Sequence, residues 1–476
     1  MQRQEMSSIQ TDLDEAPKTL KFRNKIGYMI GDVGNNFLFD MGQLYLLKYF
    51  TDQLGLNSAV AGTIFLVAKI WDAFMDISVG TWIDNRTNIG KRGKFRPFML
   101  WAAIPLALLL IANFTMPDFS VTGKLVWAYV AYMLFGTVYS ISNVPFGSMI
   151  TAMTKNSQER SELASYRQAG SNFGLMMATI AFMPIVTALP NEKVGYTVAV
   201  VIFAIAGVLC QWFAYANTKE VYQSAPKPKF SKEEIKESYK ALFKNKPLIT
   251  VSIVNLFTFS AFNLKLAVQV YYCQYVIKDL TAESLLGFFS IGMVFVSVFL
   301  TPFLTRKFDK KIVYMLGCAI WAIGDILGFF LASNTFMLVL LTSVAYLGNG
   351  FTSALNWALV SDCVEYGEWK TGIRSEGLVY SFFTYFRKLS QALAGFIPGV
   401  VLALVGYVPN QAQTATALMG IRELMFFYSA TLALVTIVVM WKLYPLTEKR
   451  YKNIMGELLA KKSTGAVMAT AAINKN

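Results

Sequence analysis

The sequence contains no histidine among its 476 residues and comparatively few charged residues. Without histidine, the chain lacks imidazole metal ligands and any catalytic arrangement of the Ser–His or Cys–His type. Charged residues make up 15% of the chain, whereas about 25% is usual in soluble domains. Hydrophobic residues make up 55%. This composition argues against a soluble enzyme, a disordered chain and a soluble DNA-binding module.

Cysteine is also scarce. The four cysteines lie in or beside apolar segments without paired spacing: Cys210, Cys273, Cys318 and Cys363. We therefore predict neither a disulfide nor a metal site. Residues 1–24 are polar and lack the short basic region and short apolar run of a secretory signal. We interpret them as a cytoplasmic tail, and the first apolar run as a retained spanning helix.

Apolar residues occur in blocks of about 20, the length that crosses a bilayer. Twelve such spans are predicted, at residues 26–50, 57–82, 97–116, 125–150, 165–188, 195–217, 248–275, 284–305, 311–332, 335–362, 375–405 and 420–444. The fold class is therefore an all-α membrane protein with twelve transmembrane helices in two six-helix halves. The predicted organisation is an N-terminal tail (1–24), a first half (25–217), a basic linker (218–247), a second half (248–445) and a C-terminal tail (446–476).

Lysine and arginine concentrate in alternate loops, at residues 83–96, 218–247 and 306–311. By the positive-inside rule, both termini are cytoplasmic, in a multi-pass protein of a bacterial cytoplasmic membrane. The net charge of +14 then reflects topology and attraction to anionic lipid rather than nucleic-acid binding. Within the linker, Ser231 and Glu234 have the spacing of a helix cap. Twelve spans divided by a basic loop are typical of a transporter with a central substrate site.

Acidic side chains at membrane depth are the clearest functional signal, because each costs at least about 2.5 kcal/mol. Asp72 and Asp76 of the second span lie one turn apart on one helix face. Two carboxylates this close resist double ionisation, so the pair can take up a proton or share Na⁺. The alternative is a structural network that includes Lys69.

Other polar residues mark the first and fourth spans. Asp32, Asn36 and Asp40 form one stripe of the first helix, and their side chains suit sugar hydroxyls, which need donors and acceptors. Asn143 precedes Pro145, which can loosen the fourth helix and free backbone groups. Helix packing is the alternative role of Asn143.

Cations and tryptophans complete the intramembrane signal. In the eleventh span, we expect Lys388 to pair with the Asp72/Asp76 carboxylates, whereas Arg387 either finds a partner or extends toward the interface. Lys265 and Asp325 have no partner that the sequence assigns. Interfacial belts or packing explain the tryptophans better than sugar binding does: Trp71, Trp82, Trp321 and Trp357.

Three stretches stand out: DNR with GKRGKFRPF after the second span, NVPFGS in the fourth, and SDCVEYGEWKTGIRSEG after the tenth. Together they resemble the glycoside–pentoside–hexuronide:cation symporters of the major facilitator superfamily. The resemblance covers residues 25–450 and implies the major facilitator fold. It places five residues in gating or loop motifs: Asp84, Arg86, Asp362, Glu365 and Arg374.

The same resemblance implies two sets of site residues. The cation-binding set is Asp72, Asp76, Ser140 and Lys388. The substrate-binding set is Asn36, Asn143, Arg167 and Lys388, to which we add Asp40. This chain has Met75 where a family member has an oxygen-bearing side chain, which favours H⁺ over Na⁺. It also has Gly147 where a family member has a sugar-contacting tryptophan, and asparagines at 36 and 143 in place of aspartates.

We therefore predict a secondary active transporter that imports a glycoside or pentoside, preferably a xylose-containing disaccharide, by symport with a proton. The alternatives are a hexuronide symporter, a Na⁺-coupled symporter and an uncoupled facilitator. An enzyme is not expected, because no loop could hold a catalytic domain. The expected partners are a sugar, the coupling cation and membrane lipid, with no cofactor, no nucleic acid and a functional monomer.

Overall fold

The computed structural model describes residues 20–84, 92–115, 119–154, 157–221, 240–372, 376–458 and 460. Twelve long helical segments follow one another in this part of the chain. They are α1 (Phe22–Lys48), α2 (Ser58–Asp84), α3 (Arg96–Asn113), α4 (Val121–Met153), α5 (Ser157–Thr187), α6 (Glu192–Asn217), α7 (Lys246–Ile277), α8 (Thr281–Lys307), α9 (Lys310–Leu331), α10 (Thr335–Thr371), α11 (Glu376–Leu404) and α12 (Ala415–Leu443).

Ten of these helices are long and apolar enough to cross a membrane, counted over the described residues. The other two, α1 and α11, coincide with the first and eleventh predicted spans. These two contain the intramembrane charges Asp32 and Asp40 (α1) and Arg387 and Lys388 (α11). The prediction of an all-α membrane protein is confirmed, and the helices follow the predicted spans in order.

The C-terminal part of α10 differs from the prediction. The predicted span ends at residue 362, but α10 continues to Thr371. Nothing in that stretch breaks a helix until Gly372, whose φ of +73° ends α10 and whose N–H bonds to the Glu368 carbonyl oxygen at 2.8 Å. Glu365, which follows the predicted span, and Asp362, at its predicted end, are therefore both helical residues.

Pro145 does not interrupt α4, which runs through this residue from Val121 to Met153, and the predicted local loosening stays a prediction. Prolines are tolerated in membrane helices when neighbouring groups satisfy the freed backbone. The capped helix predicted from Ser231 and Glu234 lies outside the described residues. So do most of the predicted tails and the middle of the linker.

Backbone contacts group the chain into two units. The first contains residues 1–42 and 71–227, and the second contains residues 43–70 and 228–476. Each of α1 and α2 therefore contributes one portion to each unit. The predicted boundaries of the two halves, the linker and the tails remain predictions.

Close helix contacts at glycine residues pack residues 43–70 against the rest of the second unit. A Cβ atom on Gly399 of α11 would lie 2.8 Å from the Cα of Gly62 in α2, and 2.4 Å from the Ser58 carbonyl oxygen. Small residues let membrane helices approach this closely and gain dispersion energy. The first unit has a separate aromatic core around Tyr28 and Phe146, whose rings stack with centroids 4.5 Å apart.

Candidate functional site

Two glycines of α5 bring this helix against α1 in the first unit. A Cβ atom on Gly170 would lie 2.3 Å from the Met29 carbonyl oxygen, and one on Gly174 would lie 2.9 Å from the Asn36 Cβ. Any larger residue would push the helices apart. The close contact places Arg167, about one turn before Gly170, opposite the polar stripe of α1.

Arg167 joins three helices of the first unit. Its Nε donates to the Asp32 carboxylate of α1 at 3.2 Å, and its Nη2 donates to Asn143 Oδ1 of α4 at 3.1 Å. The guanidinium carbon lies 5.3 Å from the centre of the Phe146 ring, which is cation–π range. Although Asp32 is nearly buried, the Arg167 side chain keeps 31% of its surface exposed. An exposed guanidinium with donors to spare can bind an anion.

Gly147 leaves room for this guanidinium. A Cβ atom at position 147 would lie 3.1 Å from Arg167 Nη1. An aromatic side chain there would compete with Arg167 for the same space. The family resemblance pointed to a glycine here in place of a tryptophan. The structure shows that the space left by the glycine borders Arg167.

Asn36 is held by its own helix and by α5. Its Nδ2 donates to the Asp32 carbonyl oxygen at 2.7 Å, and its Oδ1 accepts from Ser171 Oγ at 3.0 Å. Asp40 lies further along the stripe, is 8% exposed, and has a buried Oδ2 without a hydrogen-bond partner in the described part of the chain. The structure thus brings Asn36, Asn143 and Arg167 together through Asp32.

The carboxylate pair of α2 faces α4. Ser140 Oγ donates to Asp76 Oδ1 at 2.5 Å. Asp72 lies against Gly136, where a Cβ atom would be only 1.7 Å from Asp72 Oδ1, so only glycine fits at position 136. Met75 packs against the apolar core of the first unit instead of contributing an oxygen. The geometry brings two carboxylates and one hydroxyl to the α2–α4 contact, while their role in cation binding stays a prediction.

The cations of α11 belong to the second unit. The Arg387 guanidinium lies 4.3 Å from the centre of the Phe259 ring and 5.6 Å from that of Trp357. Aromatic faces therefore stabilise this charge, a partner that the sequence analysis did not name. Lys388 is half-buried, and its pairing with Asp72 and Asp76 stays a prediction.

The second unit contains a buried ion pair that the sequence did not predict. Lys265 of α7 forms a salt bridge with Asp325 of α9, and both side chains are fully buried. Asp325 also accepts hydrogen bonds from Trp321 Nε1 at 3.0 Å and from Ser429 Oγ of α12. Trp321 is thus a buried packing residue and not part of an interfacial belt.

The gating and loop residues are only partly described. Asp362 of α10 accepts two hydrogen bonds from Lys310 Nζ of α9, at 2.7 and 3.0 Å. Glu365 lies one turn further along α10. Arg86, Arg374 and the side chain of Asp84 lie outside the described residues.

A capping contact before α3 was not anticipated either. The carboxylate of Glu220, just after α6, accepts backbone N–H bonds from Lys94, Phe95 and Arg96, each at 2.7 Å. Carboxylates are stabilising at helix N-termini, where the first N–H groups lack partners. The signal was an acid after a spanning helix, but sequence alone could not say which helix start it would reach.

These features define a class: a helical transport protein of the membrane whose acidic, amide and guanidinium groups lie within its spanning helices. Residues 27–448 match the family described as MFS/sugar transport protein. The chain belongs to this family, so it is a sugar transporter of the major facilitator superfamily and not an enzyme.

Several relatives resemble the chain over nearly their whole length. A protein of Escherichia coli (strain K12) named as a proposed 2,3-dihydroxypropane-1-sulfonate exporter is 47% identical, over 96% of this chain and 100% of its own length. One from the same organism, named as a proposed sulfoquinovose importer, is 46% identical over 94% and 97%. A third, named glucuronide carrier protein homolog, is 35% identical over 92% and 96%.

Solved transporter structures share the fold. A bacterial homologue of the human lysosomal transporter Spinster, in an inward-facing occupied conformation, matches with a TM-score of 0.65 and 14% identity, over 88% of this chain and 95% of that one. A D-xylose–proton symporter matches with a TM-score of 0.64 and 14% identity, over 89% and 97%. At this identity the likeness concerns the fold alone, and it confirms the predicted major facilitator fold.

Proposed function

We propose that this protein is a glycoside–pentoside–hexuronide:cation symporter that carries an acidic sugar derivative together with a proton. The observation that carries the proposal is the partly exposed Arg167 guanidinium, held between the Asp32 carboxylate and the Asn143 amide in the first unit. A neutral glycoside, such as a xylose-containing disaccharide, is the second candidate.

The balance of charges around Arg167 favours an acidic substrate. Arg167 donates to one carboxylate, that of Asp32, and to one amide, that of Asn143. Asn36 and Asn143 provide donors and acceptors for sugar hydroxyls without repelling an anion. The guanidinium matches a carboxylate or sulfonate in planar, bidentate geometry. The names of three relatives point the same way, since sulfonates and glucuronides are anions.

A neutral glycoside keeps support from the same amides. Asn36, Asn143 and Ser171 can bind hydroxyl groups of an uncharged sugar as well as those of an acidic one. The name of another relative, an isoprimeverose transporter from Lactiplantibacillus pentosus, also supports the xyloside prediction. Selectivity therefore depends on whether Arg167 contributes to binding.

Proton coupling is supported by the composition of the α2–α4 site. Asp72, Asp76 and Ser140 offer hard oxygens but Met75 offers none, whereas a proton needs only one carboxylate. In the proposed cycle, protonation of one carboxylate lowers the negative charge of the pair. The empty and the doubly loaded carrier then interconvert readily between outward and inward states. Both termini lie in the cytoplasm in this proposal.

Transport assays in proteoliposomes test the substrate and the coupling together. Uptake of a glucuronide, sulfoquinovose, 2,3-dihydroxypropane-1-sulfonate and a xyloside is measured with a pH gradient, with a Na⁺ gradient and with neither. We expect accumulation of an acidic compound driven by the pH gradient alone. Accumulation of the xyloside alone would favour the second candidate, and equilibration without a gradient effect would show an uncoupled facilitator.

An arginine variant tests the recognition step. Arg167→Gln should abolish uptake of the acidic compound, because glutamine keeps a polar side chain but removes the charge and the fork of donors. Arg306→Gln is the matched control, since Arg306 is exposed at the end of α8. Equal uptake by both variants would exclude Arg167 from substrate recognition.

A further inference from the structure

Among the described residues of the second unit, four acidic side chains are buried, and three of them have a cationic partner. Asp52, just after α1, forms an ion pair with Lys48 and accepts hydrogen bonds from the Tyr407 hydroxyl at 2.6 Å and the Tyr275 hydroxyl at 3.0 Å. Asp325 and Asp362 have the ion pairs with Lys265 and Lys310 described above. Each of these three carboxylates therefore faces a compensating positive charge.

Glu283 is the fourth acid and has only neutral partners. Its side chain is 0% exposed at the start of α8. Gln269 Nε2 of α7 donates to Glu283 Oε1 at 2.8 Å, and the Tyr45 hydroxyl of α1 lies 3.5 Å from the same oxygen. Cys273 Sγ lies 3.8 Å from Oε2. Among the described residues, no Lys or Arg nitrogen lies within 4.0 Å of this carboxyl group.

Other titratable groups around Glu283 offer no compensating charge. Tyr346 of α10 lies within electrostatic range of both Glu283 and Asp325, and its hydroxyl is buried without a hydrogen-bond partner in the described part of the chain. Asp279, in the α7–α8 connection, acts electrostatically on Cys273 and adds negative charge. A buried carboxylate without a counter-charge takes up a proton rather than remain ionised.

We propose that Glu283 is a second proton-binding site, distinct from the Asp72/Asp76 pair, and that its proton is held while Tyr45 packs against it. Tyr45 lies on α1, so the site is completed by a helix portion that the sequence places in the first half. When residues 43–57 leave the second unit, water reaches Glu283 and its proton can dissociate. The proton returns to the side that it came from, so it regulates opening without being transported.

The direction of the effect follows from the charge states. Low pH keeps Glu283 neutral and favours the packed arrangement, whereas high pH favours the hydrated, ionised one. The loop charges predict that residues 51–56 face the outside. A proton from an acidic exterior would therefore close this end of the carrier. Only this last step rests on the proposed function, in which both termini lie in the cytoplasm.

Infrared spectroscopy of the purified protein tests the protonation state without any substrate. We expect the wild type at neutral pH to show a carboxylic-acid C=O stretching band that is missing from Glu283→Gln. Glu423→Gln is the matched control, because Glu423 is exposed in α12 and should leave the band unchanged. An unchanged spectrum in Glu283→Gln would overturn the proposal.

Cys273 gives a second readout, because it is buried beside Glu283. Labelling by a membrane-impermeant maleimide is followed at Cys273 by peptide mass spectrometry from pH 5 to 8. The thiol itself reacts faster at high pH, so the wild-type rate is divided by that of Glu283→Gln. This ratio should rise with pH, by at most about tenfold per unit for one proton.

The labelling result separates the two proposals. A ratio independent of pH would exclude a proton-linked opening at Glu283, even if sugar uptake follows the pH gradient. A rising ratio in a protein that does not couple sugar to protons would support the Glu283 site and refute the proposed symport. Tyr45→Phe should raise labelling in the wild-type background, because it removes the hydroxyl of α1 from this contact.

Discussion

Replacing Asp325 by asparagine should destabilise the protein strongly, because Lys265 would keep a buried charge with no acidic partner in this pair. Removing one member of a buried ion pair costs about 3–5 kcal/mol. The rings of Tyr346 and Phe426, with centres 5.6 and 5.0 Å from Lys265 Nζ, offset only part of this cost. We therefore expect Asp325→Asn to fall near the lower end of that range.

The reverse replacement, Lys265→Met, should cost less. Asp325 then keeps two hydrogen-bond donors, Trp321 Nε1 and Ser429 Oγ, and can take up a proton. In the double variant, no buried charge remains, and the asparagine oxygen can still accept both bonds, because both reach the same oxygen of Asp325, Oδ2. The amide NH₂ group then replaces Oδ1 without Lys265 as its partner, which costs about 1 kcal/mol. The double variant should therefore be more stable than Asp325→Asn alone.

Denaturant unfolding in mixed micelles measures all three variants against the wild type. The double-mutant cycle should give a coupling energy of about 2–3 kcal/mol between the two positions. Glu423→Gln, an exposed acid in α12, is the control for loss of a carboxylate. Additive effects of the two single replacements would refute the reasoning, because independent residues do not compensate each other.

Three further replacements test other contacts. Asp72→Asn should abolish uphill accumulation of the sugar and spare sugar exchange, measured by uptake and counterflow. Full accumulation by this variant would refute the coupling mechanism. Gly147→Ala should raise the KM for an acidic substrate about tenfold, or about 1.4 kcal/mol, because its Cβ would crowd Arg167; an unchanged KM would count against the site. Glu220→Gln should lower the stability by about 2 kcal/mol in denaturant unfolding, because an amide opposes one of the N–H groups before α3; wild-type stability would show that this cap is dispensable.

The positions of the helices could be predicted from the sequence because the membrane requires apolar segments of a fixed length. The exact ends could not, since the polar end of α10 is helical outside the apolar stretch. The sequence also predicted which charged residues share a helix face, since Asp72 and Asp76 were assigned to one face from their spacing alone. Their contact with Ser140, 64 residues from Asp76, came only from the family resemblance.

Contacts between residues on different helices were the main feature that the sequence could not predict. Lys265 and Asp325 are 60 residues apart, and no periodicity connects two helices across that distance. The same limit hid the role of Asp32, which was recognised as part of a polar stripe but not as the acidic partner of Arg167. Helical periodicity shows which residues share a face, whereas packing decides which faces meet.

The charge of the substrate determines whether the membrane potential can drive transport. An acidic sugar with one negative charge and one proton together carry no net charge, and the proton of Glu283 returns to its own side. The rate of such electroneutral symport should therefore not depend on the membrane potential. A neutral glycoside with one proton would move one positive charge, worth about 2.3 kcal/mol per 100 mV. A potassium diffusion potential imposed with valinomycin, at equal pH on both sides, distinguishes the two. Uptake that is unaffected supports recognition of an anion by Arg167, and strong stimulation by an inside-negative potential would refute it.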